Sequence, residues 1–144
     1  MLKKLRLKLF RNTTLINKLV SYELGQKSFY ISPEDTISTA SETFIEHSRF
    51  KKAKGKLKES SWHNSITIDS TTLDSLIQSY GLPDYIKVDV EGYEKEVLWG
   101  LTKPVPLLGF EWHEEDYESI ISATHHLSKI GFKHFACVGH FQNA

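Results

Sequence analysis

Two carboxylates two residues apart, Asp89 and Glu91, close a strand-like stretch of this 144-residue chain, Tyr85–Glu94, "YIKVDVEGYE". Ile86, Val88 and Val90 alternate with Lys87, Asp89 and Glu91, which is the period of a strand, and Gly92 follows. A carboxylate at the start of the next helix is stabilised by roughly 0.3–1 kcal/mol, so capping accounts for one acid. It does not account for Lys87 and Asp89 on the same side of a strand expected to be buried on both faces, where an unpaired charge is costly. Lys87 is therefore read as the ion-pair partner of an acid, and Asp89 and Glu91 as acids of a ligand site. Gly92 suits such a place, because a residue without a side chain lets the backbone approach a ligand or adopt a positive φ.

A third acid has the same position on another strand. "VPLLGFEW", residues 105–112, is apolar along nearly its whole length and ends in Glu111, with His113 just beyond. In open α/β sheets ligands bind past the carboxyl ends of the strands. If the two strands are neighbours, Asp89, Glu91 and Glu111 converge on one rim, and His113 beside Glu111 can serve as general base or metal ligand. His125 and His126 are adjacent on a helix and do not share a face, so they are not read as a metal pair. Cys137, within "FKHFACV", is expected to pack in the core.

The elements that must position these residues follow from pattern. The chain opens with a basic, leucine-rich stretch, "MLKKLRLKLFRN", expected to be a terminal helix. Leu19–Leu24 and Ser28–Ile31 read as a hairpin turning at Gly25. Residues 33–65, rich in Ser, Thr and Lys without a sustained period, read as a long irregular excursion. Thr71 as N-cap with Asp74 three residues later starts a helix over about Leu73 to Tyr80, stopped by Gly81 and Pro83. The strand Tyr85–Asp89 comes next, and Tyr93, Val97, Leu98 and Leu101 mark a second helix closed by Pro104. A third helix runs from about Glu114 to Ile130, with Tyr117, Ile120, Ile121, Thr124 and Leu127 on one face, capped by Gly131. "FKHFACV" is expected to return as a strand. Alternating strands and helices of this kind predict an α/β domain with a parallel sheet covered on both faces.

Composition sets the outer bounds. The chain has the size of one domain, with 40% hydrophobic residues and zero net charge. A single cysteine excludes an internal disulfide and a Cys-rich zinc site. No apolar run approaches a membrane span, and the cytoplasm is the expected compartment. Residues 1–58 carry thirteen Lys and Arg against five acids, and residues 59–144 carry five against thirteen. The run "RFKKAKGKLK" offers only Phe50 as a stacking platform, so it is read as solvated charge and no nucleic-acid partner is expected. The basic opening, residues 1–12, suits weak contact with a membrane surface.

Thr72–Leu101, "TLDSLIQSYGLPDYIKVDVEGYEKEVLWGL", resembles the signature segment of the FkbM-type S-adenosylmethionine-dependent methyltransferases: T-L-D, a helix, a strand ending K-x-D-x-E-G, and a helix carrying E-x-E-V-L. "PLLGFEWH" is similar to the family's next strand, and "LGQKSFYISPEDTISTAS" to the segment before its long loop. The resemblance runs from about Ser21 to Val138. It implies a Rossmann-like methyltransferase fold in which Asp89, Glu91, Glu111 and His113 hold and activate an acceptor, with methyl transfer to a hydroxyl of a small molecule or saccharide. The family's glycine-rich donor turn, with an acid just ahead, has no counterpart in the 144 residues. The resemblance thus implies a partial Rossmann-like domain without its first strands: residues 1–20 a basic helical segment, residues 21–144 the carboxyl-terminal part of the domain, no residue assigned to the cofactor and no metal. A partner chain or second copy covering the open sheet edge would complete it. The other reading of the same residues is a truncated, non-catalytic fragment serving as a scaffold or interaction module.

Overall fold

The computed structural model describes residues 13–32, 37–47, 62, 64–112 and 116–138. The basic opening 1–12, the lysine-rich segment 49–58 and His113 lie outside the described residues, so the expectations placed on them meet no structure here. Among the described residues nine elements follow in chain order: β1 (Leu19–Val20), β2 (Gly25–Ile31), α1 (Glu42–His47), β3 (Asn64–Thr71), α2 (Leu73–Tyr80), β4 (Ile86–Val88), α3 (Glu94–Trp99), β5 (Leu108–Phe110) and α4 (Tyr117–Ile130). The fold is mixed α/β.

Its strands form two sheets among the described residues, where one parallel sheet was expected. β4 and β5 pair in parallel, Ile86 opposite Leu108 and Val88 opposite Phe110. The other sheet has the order β1-β3-β2, with β1 parallel and β2 antiparallel to β3. The hairpin predicted about Gly25 does not form: Ser70 of β3 faces Leu19 on one side and Gly25 on the other. The reason lies in the bonds around the end of β3. Ser21 N–H donates to the Thr71 carbonyl at 2.7 Å and the Ser70 hydroxyl to the Glu23 carbonyl at 2.8 Å, wrapping residues 21–24 around that end so that β2 starts on the far edge. β3 was not foreseen: its first two residues fall in the expected excursion 33–65, and Ile66 and Ile68 are its only large apolar residues.

The helices bury short faces against β4. α2 is capped by Thr72, whose hydroxyl accepts from Ser75 N–H at 3.0 Å, one residue later than the predicted Thr71–Asp74 pair. Thr71 is the last residue of β3, and Asp74 instead accepts from the amide (3.0 Å) and hydroxyl (2.6 Å) of Thr102, tying α2 to the chain after α3. Val97 and Leu98 of α3, with Leu101, are buried together with Leu73, Val88, Ala123 and Leu127. On α4 the inward residues are Ala123 and Leu127, four apart, with Ile130 packed beside them, whereas Tyr117 and Ile121 of the predicted face are exposed. Gly100 lies where β1 meets the end of α3; a Cβ there would stand 2.3 Å from the Ser21 carbonyl oxygen.

Two further expectations are corrected. Residues 132–138 form no strand: after the Gly131 cap, where Phe132 N–H donates to the Leu127 carbonyl, the segment pairs with no sheet edge, and Val138 is 93% exposed. An alternating pattern is only half of a strand, since the backbone must also meet an edge in register. Cys137 is accordingly exposed and not in the core. Among the described residues, no helix is long and apolar enough to cross a membrane.

Candidate active site at the carboxyl ends of the parallel strands

β4 buries one face only. Ile86, Val88 and Val90 pack on the core, whereas Lys87 and Asp89 project to the opposite, open side. The difficulty of charges on a doubly covered strand disappears, because among the described residues no element covers that face. Parallel pairing brings the ends of β4 and β5 to one edge, where Glu111 N–H donates to the Val88 carbonyl at 3.2 Å. There Lys87 Nζ stands 2.6 Å from Asp89 Oδ2 and 3.4 Å from Glu111 Oε1. The three side chains are 52%, 46% and 47% exposed, so each remains open to a ligand from solvent. The Asp89 hydrogen bond, more than Glu111, holds the Lys87 pKa above its ordinary value.

Beyond Asp89 the chain turns into α3 within four residues. Glu91 has φ +51°, the only non-glycine left-handed residue among those described, and Gly92 follows at +84°. Such a backbone costs on the order of 1–3 kcal/mol unless its surroundings hold it, and the segment 37–47 does so. The Thr39 hydroxyl donates to the Glu91 carbonyl at 2.7 Å, while the Phe44 ring fills the space of a Gly92 side chain, 2.6 Å from where a Cβ would be. Gly92 thus has the positive φ foreseen for it, and the close approach it permits is to Phe44. Ser41 N–H on the Thr39 hydroxyl, Phe44 N–H on the Ser41 hydroxyl, and Trp62 edge-on to Phe44 brace this segment. Trp62 in turn donates its indole N–H to the Ile37 carbonyl at 2.9 Å.

Of the four residues singled out from sequence, Asp89 and Glu111 meet through Lys87, and Glu91 sits on the adjoining turn with its backbone held by Thr39. A residue that sequence reasoning passed over is Glu94. It is 4% exposed, and its Oε1 accepts the Val90 N–H at 3.2 Å. The signal was present, since an acid in the first turn of a helix whose preceding residue is tyrosine has backbone amides within reach and no competing side-chain cap. Tyr93 is buried with its hydroxyl 3.1 Å from the Ser21 hydroxyl, which links the turn to the end of β1. Among the described residues no group of three His, Cys, Asp or Glu side chains is placed to hold a metal.

Comparison with protein families gives one match, to the methyltransferase FkbM domain, over residues 4–132. The chain belongs to the FkbM methyltransferase family. The match begins within the basic opening and ends just past α4, so all the described elements of this FkbM domain lie inside it. No curated protein and no solved structure matches the chain.

Proposed function

We propose that this FkbM domain serves S-adenosylmethionine-dependent methylation of a hydroxyl on a small molecule or saccharide, with Asp89 as the acid that receives the acceptor. The observation that carries this reading is the pair of open carboxylates, Asp89 and Glu111, on one rim at the ends of two parallel strands. When bound, S-adenosylmethionine supplies an electrophilic methyl group on a cationic sulfur. Asp89 accepts a hydrogen bond from the acceptor hydroxyl, orients its oxygen, and takes its proton as that oxygen becomes an ether. Glu111 holds a second hydroxyl of the acceptor, Lys87 holds both carboxylates in place, and Glu91 stands on the adjoining turn.

The rim suits the reacting end of that donor, since two carboxylates against one ammonium leave one negative charge for a sulfonium. No residue is assigned to the nucleoside. The space at Gly92 is occupied by Phe44, and the 144 residues contain no glycine-rich turn with an acid ahead of it. That same observation favours the second reading, a non-catalytic scaffold retaining the motif.

The test incubates the chain with methyl-labelled S-adenosylmethionine at millimolar concentration and a panel of sugars and small hydroxylated compounds. Transfer that falls about 100-fold in Asp89→Asn, with a melting temperature within about 2 °C of the parent, supports the enzyme. Equal transfer by both proteins removes Asp89 from the mechanism. No transfer by the folded parent chain favours the scaffold.

A further inference from the structure

We propose that Glu94 is a positioning residue: its buried carboxylate, through the Val90 amide, sets the direction in which Asp89 presents its own carboxylate on the rim.

The Val90 N–H belongs to the peptide plane that directly follows the Asp89 Cα. Fixing that plane fixes ψ of Asp89, and with it how the Asp89 Cβ is set relative to the turn and α3, while pairing with β5 holds Lys87 on the other side of the same Cα. The bond from Val90 N–H to Glu94 Oε1, 3.2 Å long, is a hydrogen bond to an acceptor that is itself shut away from water. A bond to a buried acceptor meets little competition from solvent, so it constrains more than the same contact would on the surface. Val90 lies at the entry to the left-handed pair Glu91 and Gly92, and Thr39 holds the far side of the same turn through the Glu91 carbonyl. The turn is therefore gripped at both ends, from α3 by Glu94 and from the 37–47 segment by Thr39.

Capping of α3 alone does not explain the arrangement. The bond from Val90 N–H to Glu94 reaches back beyond the helix start, four residues earlier, and the Tyr93 side chain at the cap position does not cap the helix but reaches Ser21. A carboxylate serving only the helix would be satisfied at the surface, without the cost of desolvation that a 4% exposed position imposes.

The role of Asp89 in this inference rests on the proposed function, but the positioning itself is read in the ligand-free full chain. Amide exchange of Val90 and the titration of Lys87 Nζ are followed by NMR in the parent, Glu94→Gln and Glu94→Leu. Glutamine retains an accepting oxygen, and Val90 exchange should stay within about twofold of the parent; leucine removes it, and exchange should quicken by about tenfold, the protection one hydrogen bond gives. In Glu94→Leu the Lys87 titration should also move down toward an ordinary lysine, while amides of α4 keep their rates. Unchanged Val90 and Lys87 behaviour in Glu94→Leu overturns the proposal, as does a uniform acceleration of all amides, which marks a purely structural residue. If Glu94→Leu does not fold, the parent decides: deuteration of the Val90 amide must shift the Glu94 carboxyl carbon resonance, and absence of that shift overturns the bond. Positive results here beside an Asp89→Asn protein that methylates normally would remove Asp89 from the mechanism and leave Glu94 as the positioner of the turn.

Discussion

Lys87 stands between two carboxylates, and its titration reports whether the rim is assembled in solution. Its pKa is raised from the ordinary 10.5, chiefly by the hydrogen bond to Asp89; desolvation is the next-largest effect and opposes it, and the charge of Asp89 and then the hydrogen bond and charge of Glu111 add to the rise. A raised lysine pKa means that the folded state binds the proton more tightly than the unfolded chain. The linked stabilisation is complete below the unfolded value and is lost as pH rises through the folded one, so its loss lies wholly on the alkaline side. At neutral pH the ammonium stays charged and the rim keeps its ion pairs. The expected outcome is a Lys87 Nζ titration above that of the exposed lysines, and a return toward them in Asp89→Asn but a smaller change in Glu111→Gln. NMR detection of the Lys87 side chain checks this order, and an equal response to both substitutions would contradict the shorter contact to Asp89.

Between elements, the chain leaving β1 comes close against the end of α3 at Gly100. Gly100 has an ordinary negative φ of −76°, so its glycine is required by space and not by backbone conformation. The atom a Cβ would meet at 2.3 Å is a backbone carbonyl oxygen, which cannot rotate away as a side chain would. Gly100→Ala should therefore destabilise the fold by about 1–3 kcal/mol, the cost of overpacking a tight contact. Chemical denaturation measures it directly; a change below a few tenths of a kcal/mol would show that β1 moves freely off α3. The same junction joins the two sheets, because Ser21 also bonds Tyr93 and the Thr71 carbonyl. Displacing β1 thus loosens the turn that follows Asp89, and a loss of Lys87 perturbation in Gly100→Ala would accompany the loss of stability.

For the whole molecule, the proposed methylation gives the rim the reacting end of a methyl donor and leaves the nucleoside unassigned. A dinucleotide or nucleoside site in an α/β fold depends on backbone amides exposed at a glycine-rich turn and on an acid for the ribose, and the 144 residues supply no such turn. Calorimetry of the chain with S-adenosylmethionine at micromolar concentration should accordingly register no binding. Tight, stoichiometric heat would reveal a donor site built by other means. The two outcomes separate a domain that needs another polypeptide for its donor from one that is sufficient alone. Local periodicity determined much of this molecule: the helix at Leu73–Tyr80, the run from β4 through α3 to β5, and the candidate acids Asp89 and Glu111, because each depends on residues within a few positions of one another. Tertiary structure decided the rest. Whether Leu19–Val20 and Gly25–Ile31 pair with each other or flank β3, whether 132–138 meets a sheet edge, and whether the Lys87 face is covered are all questions of which distant segment arrives alongside. Glu94 belongs with these, because a carboxylate in the first turn of a helix is ordinary by sequence; only the packing of α3 against the core buries it and gives its bond to Val90 a hold on the turn.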